Sequence, residues 1–210
     1  MSTNGDLVEN PTGFSATKSI NFDLEKLRQM THSEIYVETG LGDVKSPVGH
    51  VSSCETALMC GFLKILGIEL VENFCGRWKY NYTEQINNGR FKMVNDDAIN
   101  LEKHLAELDS EKRIMFFLDA CVDSPNIRGS KKRFPILEEL QAISKLERKD
   151  HIIIVNHANI LELPFPWGEV EFSDIKTLEK IKDAIKAINE RYQFVLMNGL
   201  RQENILVAFM

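Results

Sequence analysis

From Ile35 onward, short runs of continuous apolar residues alternate with longer stretches in which apolar residues return every three or four positions. The runs I-Y-V-E, K-I-L-G-I-E-L, F-K-M-V, R-I-M-F-F-L-D and H-I-I-I-V-N lack the alternation of a half-exposed strand and read as strands covered on both faces. Between them lie helical patterns: C-E-T-A-L-M-C-G-F-L, a stretch from Val71 towards Ile86, A-I-N-L-E-K-H-L-A-E-L and P-I-L-E-E-L-Q-A-I-S-K-L. Five β-α steps of this kind predict a parallel sheet with helices on both faces, a three-layer α/β/α domain. Ser52 and Glu55 have the spacing of a capping box and place the start of the first major helix near Ser52. Near the end, Asp174 to Glu190 is amphipathic at helical spacing, and Asn198-Gly199 between two apolar runs predicts an antiparallel hairpin.

Ahead of the first strand, F-D-L-E-K-L-R-Q-M reads as a short helix with Asn21 as its N-cap. Residues 1–20, rich in Ser, Thr, Asn, Gly and Pro, read as a flexible arm before a single domain over 21–210.

The 210 residues fit one core, and 43% hydrophobic with 27% charged residues is the balance of a soluble globular protein. No apolar run reaches the ~18 residues of a membrane helix, and the N-terminal stretch lacks the pattern of a signal peptide. The formal charge of −6 offers no excess of cations for phosphates, so nucleic acid is not an expected partner. Cys54, Cys60, Cys75 and Cys121 lack paired metal-ligand spacing and suit a reducing, cytoplasmic setting, the first three as packing residues. A small-molecule or glycan ligand is expected, and a homo-oligomer is left open.

Ligands of such sheets bind beyond the carboxyl ends of the strands, near the point where strand order reverses. The five strands end on Glu38 with a glycine loop, Glu69, Asn95-Asp96-Asp97, Asp119 and Asn156-His157. One such group reads equally as a helix cap, whereas five together suggest a site. Gly40 and Gly42 allow a tight turn and close approach of the backbone to a ligand. Glu69, ending the second strand, is placed to accept hydrogen bonds from both hydroxyls of a ribose, which suggests a ligand containing adenosine.

These residues resemble the class I S-adenosylmethionine-dependent methyltransferases over roughly residues 35 to 210. The family's E/D-x-G-x-G motif is matched by Glu38-Thr39-Gly40-Leu41-Gly42, the acid of strand two by Glu69, and the strand-three motif by Asn95-Asp96-Asp97. F-F-L-D-A-C at 116–121, F-P-I-L-E-E-L at 134–140 and I-I-I-V-N-H-A at 152–158 are similar to segments of small-molecule and sugar O-methyltransferases. The resemblance implies a Rossmann-like methyltransferase fold, a seven-stranded mostly parallel sheet with an antiparallel C-terminal hairpin. It also implies S-adenosylmethionine as donor, held by Glu38, Thr39, Gly40, Gly42, Glu69, Asp96, Asp97 and Asp119. In similar metal-dependent members the position of Asp119 ligates Mg²⁺ or a similar ion. The chain departs from the pattern at Val44, where a third glycine is often found, and at Asn156-His157, where two acids or Asp-Asn are usual.

Methyl transfer to a hydroxyl needs alignment and removal of the acceptor's proton, by a base or with a divalent cation (Mg²⁺ or Mn²⁺). Asp119 and Asn156 are the candidate metal ligands, Asn156 through its amide oxygen. His157 is the candidate base, a further ligand or a structural histidine. Asp123 reads as orienting the acceptor, joining the metal shell or as a solvated loop acid. Trp167, with Phe165 in L-P-F-P-W-G, reads as stacking on a sugar ring or packing at the rim. Arg128, Lys131, Lys132 and Arg133 read as an anion-attracting cluster or a solvated run. His50 reads as reaching the cleft or lying on the surface, and His32, His104 and His151 as surface or cap positions. Sugar or glycan O-methylation is thus expected. The alternatives are a nicotinamide-dependent oxidoreductase, opposed by Lys45 where G-x-G-x-x-G needs glycine, and a non-catalytic cofactor-binding scaffold. Base N-methylation is opposed by Leu118-Asp119-Ala120-Cys121 in place of an N-P-P-Y-like motif.

Overall fold

The computed structural model describes residues 20–44, 51–121, 134–158, 178–198 and 204–210. Its seven strands are β1 Ile35–Thr39, β2 Lys64–Glu69, β3 Phe91–Asn95, β4 Ile114–Leu118, β5 Ile152–Val155, β6 Gln193–Met197 and β7 Ile205–Phe209. They form one sheet in the order β3-β2-β1-β4-β5-β7-β6. The first five are mutually parallel, and β7 runs antiparallel to both β5 and β6. This is the expected α/β architecture with its antiparallel C-terminal pair. From β1 the chain steps outward through β2 and β3 and then returns to β4 on the other side of β1, so strand order reverses between β1 and β4. A crevice opens at such a reversal.

The helices are α1 Leu24–Thr31, α2 Ser53–Met59, α3 Glu72–Asn81, α4 Thr83–Asn87, α5 Leu101–Leu105, α6 Ile136–Ser144 and α7 Leu178–Ile188. Alternate strand residues divide between two cores, as a two-residue period dictates. Val37, Leu66, Phe116 and Ile153 pack with α5, α6 and α7, while Tyr36, Ile65, Met115 and Ile154 pack with α1, α2 and α3. Cys54, Cys60 and Cys75 are buried in the second core, in keeping with a packing role. Among the described residues no helix is long and apolar enough to cross a membrane.

The capping box forms as expected: Ser52 Oγ accepts from the Glu55 N–H at 3.1 Å, and the Ser52 N–H donates to Glu55 at 3.0 Å. Other expectations shift. Asp23, not Asn21, caps α1, accepting from the Lys26 N–H at 2.9 Å. The helix expected from Val71 to Ile86 is broken at Tyr82, whose hydroxyl donates to Glu55 and whose ring stacks on Trp78. The segment 98–108 opens with a 3₁₀ turn, Ala98–Asn100, because Asp97 caps it through the Ile99 N–H, and α5 is short. The helix expected over 54–63 ends at Met59, and the final helix is described over Leu178–Ile188.

His151 is not at the surface. It is 1% exposed, and its Nδ1 accepts the Ile114 N–H at 3.1 Å where β4 begins, while Tyr192 donates to its carbonyl. Burial pushes its pKa down from 6.5 to about 4, with Arg148 and Arg113 acting in the same direction. The folded chain therefore resists a proton that the unfolded chain accepts. Stability is fully present above pH 6.5 and is lost as the pH falls towards 4. His151→Asn, which keeps an acceptor for the Ile114 N–H but does not titrate, is expected to escape about 3 kcal/mol of that loss. Urea unfolding of both proteins between pH 7 and 4 measures the difference.

Candidate active site

The acid that ends the apolar part of β1, Glu38, is 1% exposed and held by two hydroxyls. Ser53 Oγ donates to Oε1 at 2.6 Å and the Tyr36 hydroxyl to Oε2 at 2.7 Å. Ser53 reaches it because the capping box at Ser52 starts α2 at that point. Burial pushes the Glu38 carboxyl up to about 8 against these two hydrogen bonds, and the charges of Asp119 and Glu69 push the same way. Thr39 is fully buried, and its carbonyl accepts the Asp119 N–H at 3.2 Å.

The two glycines meet different demands. Gly40 turns at φ +71°, and a Cβ there would lie 2.6 Å from Ala120 Cα and 2.7 Å from the Asp119 carbonyl. Gly42 turns at φ +65°, and among the described residues no atom lies within 4 Å of a Cβ placed there. The Gly42 N–H donates to Glu69 Oε2 at 2.8 Å, and the Val71 N–H to Oε1 at 2.8 Å. Glu69 is thus a fixed carboxylate at the edge of the glycine loop. Burial raises its pKa, against the amides of Val71, Gly42 and Leu70.

Beyond β3, Asp96 Oδ1 accepts from the Asp97 N–H and from Asn100 Nδ2, and Oδ2 meets His104 Nε2 at 2.7 Å and Lys103. Burial raises this carboxyl, but the hydrogen bonds of Lys103, His104 and Asn100 outweigh it and hold Asp96 well below the usual range. Asp96 is therefore committed to its own turn. Asp97, 9% exposed, caps the 3₁₀ turn.

At the ends of β4 and β5, Asp119 Oδ1 accepts from Asn156 Nδ2 at 2.8 Å and lies 3.0 Å from His157 Nε2. His157 adopts φ +62°, the left-handed turn that swings its ring back to Asp119. Asn156 Oδ1 accepts from the His157 N–H at 2.8 Å and from Asn204 Nδ2 at 3.1 Å. A backbone N–H fixes which end of the amide is oxygen, so the N–H₂ end faces Asp119. This does not suit Mg²⁺ or Mn²⁺, which needs several converging oxygens. Among the described residues no group of three or more His, Cys, Asp or Glu is arranged to hold a metal. Asp123, Trp167, Phe165, His50 and the 128–133 basic cluster lie outside the described residues.

Glu139 adds an acid that the strand-end reading missed. It is 1% exposed in α6, and burial pushes its pKa up to about 8 against the Thr39 hydroxyl, with Asp119, Glu138 and Asp97 acting in the same direction as burial. The spacing Ile136, Glu139, Leu140, Ile143 already put it on the buried face. Ser53, Tyr36 and Asn204 were also missed: Ser53 and Asn204 act on groups 15 and 48 positions away, and Tyr36 on Glu38 two positions along the same strand.

No protein-family model matches the chain, and no curated protein matches it by sequence. Solved structures do match. An O-methyltransferase from Bacillus cereus in complex with SAH superposes with a TM-score of 0.56 at 14% identity, over 89% of this chain and 79% of that one. TomG from Streptomyces achromogenes, an O-methyltransferase involved in tomaymycin synthesis, in complex with SAM, gives 0.56 at 13%, over 89% and 77%. A candidate rRNA methylase from Clostridium thermocellum gives 0.51 at 16%, over 89% and 97%. At these identities the likeness shows the fold: the chain has the Rossmann-like fold of these methyltransferases.

Two outcomes are expected. Gly40→Ala, which forces a methyl against the backbone of Ala120, destabilises the protein by more than about 3 kcal/mol, whereas Gly42→Ala costs about 1 kcal/mol of left-handed strain. Thermal unfolding of both variants checks this. The raised pKa of Glu139 gives stability that is fully present below pH 4.5 and is lost as the pH rises through about 8. Glu139→Gln is expected to gain on the wild type by on the order of 3 kcal/mol between pH 5 and 9 in urea unfolding.

Proposed function

We propose that this protein is an S-adenosylmethionine-dependent O-methyltransferase acting on a hydroxyl of a small molecule or glycan, with His157 as general base. The observation that carries this reading is the convergence, at the carboxyl edge where strand order reverses, of the Glu38–Gly42 loop, Glu69 and the Asp119–His157 pair. Glu69, fixed by two amides, retains lone pairs for the ribose hydroxyls of the donor. Asp119 supplies negative charge towards a donor that is cationic at sulfur and at its amino group. Burial is what chiefly raises Glu38 and Glu69, with the charge of Asp119 adding to it, and a cation bound beside them favours their ionised forms.

With Nε2–H donated to Asp119, the neutral imidazole carries its lone pair on Nδ1. Nδ1 takes the proton of the acceptor hydroxyl as its oxygen attacks the methyl carbon and the carbon–sulfur bond breaks. Asp119 orients the ring and stabilises the imidazolium that forms. The orientation of Asn156 supports this route over assistance by a divalent cation. A sugar acceptor draws its support from the sequence resemblance, and the net charge of −6 disfavours RNA.

Calorimetry is expected to show binding of S-adenosylmethionine and its demethylated product, SAH, with Glu69→Ala weakening both at least tenfold. No detectable binding of either overturns the reading. Screened with labelled donor against sugars, glycosides and small phenols, the protein is expected to lose about 10²–10⁴ in kcat on His157→Ala. Turnover should be unchanged in chelator. Activity abolished by chelator and restored by Mg²⁺ returns the catalytic role to a metal at Asp119.

A further inference from the structure

We infer that Trp78 and Tyr82, one turn apart where α3 ends, are positioning residues for donor binding: Trp78 fixes Gly42 in the glycine loop, and Tyr82 fixes the capping box at the start of α2. The inference rests on the reading that this loop binds the donor. Both polar backbone groups of Gly42 are engaged. Its N–H donates to Glu69 Oε2 at 2.8 Å, and its carbonyl accepts from Trp78 Nε1 at 2.9 Å. Trp78 is fully buried, and an indole N–H has no other function than to donate, so the Gly42 carbonyl is its anchor. One residue on, Asp43 Oδ1 pairs with Arg77 Nε at 2.9 Å.

The other end is held from the same place. The Tyr82 ring stacks on Trp78, with centroids 5.2 Å apart and planes at 25°, and its hydroxyl donates to Glu55 Oε1 at 2.9 Å. Glu55 Oε2 in turn accepts the Ser52 N–H that closes the capping box. Phe91 of β3 packs edge-on against both rings. Two stacked rings thus tie Gly42 to Ser52, and Ser53 carries the connection to Glu38. This gives a physical substitute for the third glycine. With the peptide planes on both sides of Gly42 pinned, its left-handed turn is set without further backbone freedom at Val44. A loop ordered before binding avoids the ordering cost at binding.

Trp78→Phe keeps the ring and removes the N–H. It is expected to weaken SAH binding about tenfold by calorimetry, at a temperature where circular dichroism shows the variant fully folded. Tyr82→Phe, which releases Glu55, is expected to weaken it several-fold. Phe91→Leu is the control for packing: it thins the same aromatic cluster without touching Gly42 or Glu55, and should lower the melting temperature with SAH affinity unchanged. Wild-type affinity in folded Trp78→Phe, or an equal loss in Phe91→Leu, overturns the inference alone. A wild-type protein that binds no SAH overturns the donor reading together with it.

Discussion

The chain leaves β1 by passing so close to the backbone at the end of β4 that a Cβ on Gly40 would fall 2.6 Å from Ala120 Cα. That contact exists because β1 and β4 are neighbours at the point where strand order reverses. It brings the Thr39 carbonyl onto the Asp119 N–H and the Gly40 N–H onto the Ile68 carbonyl, so three strand ends are locked together through the one peptide that joins Thr39 to Gly40. From this junction the glycine loop is aimed over β2, where Glu69 takes the Gly42 N–H. Asp119 is aimed towards β5, where Asn156 and His157 meet it. A larger residue at position 40 would separate the two halves of the site.

The carboxylates gathered by that junction are an electrostatic burden. Glu38, Glu69 and Glu139 are each raised chiefly by desolvation, and in each case the charge of Asp119 adds to the rise. The fold meets part of this locally, by aiming the hydroxyls of Ser53 and Tyr36 at Glu38 and two amides at Glu69. Much of the remainder is met by protonation, since burial holds the pKa values of Glu38 and Glu139 at about 8, and a cation bound beside them would favour their ionised forms. Stability given up at an apo site and recovered on binding is a common arrangement where charged ligands bind.

Features set by local chemistry were legible in the sequence. β1, β2, β4 and β5 could be read because each is a nearly continuous apolar run buried on both faces, and the capping box because its partners sit three residues apart. The strand-end acids followed from the strands. What the sequence hid is long-range: Ser53 acting on Glu38 across 15 positions, Gly42 on Glu69 across 27 and Trp78 on Gly42 across 36. His151 was misread because Arg148, Lys149 and Asp150 precede it and suggest solvent, yet it turns inward to serve the first amide of β4. Asn21 reads as a cap by its residue type, whereas Asp23 is the side chain that accepts the Lys26 N–H three residues on. Glu139 sat inside a segment noticed for its resemblance, and its helical spacing with Ile136 and Ile143 was the available signal.

The neutral pair Asn156-His157 follows the same electrostatics. Two acids at these positions would bring further negative charge against Asp119, at roughly 4 kcal/mol for each pair of charges about 4 Å apart near a protein surface. A divalent cation would offset that repulsion. Asparagine and histidine instead meet Asp119 as N–H donors, from Nδ2 at 2.8 Å and Nε2 at 3.0 Å. The amide is held by Asn204 and by the His157 backbone, so it cannot rotate its oxygen inward without setting donor against donor. The pair therefore brings no further negative charge against Asp119. Under the mechanism proposed above, the same two residues that add no acidic cation ligand also include the histidine proposed as base.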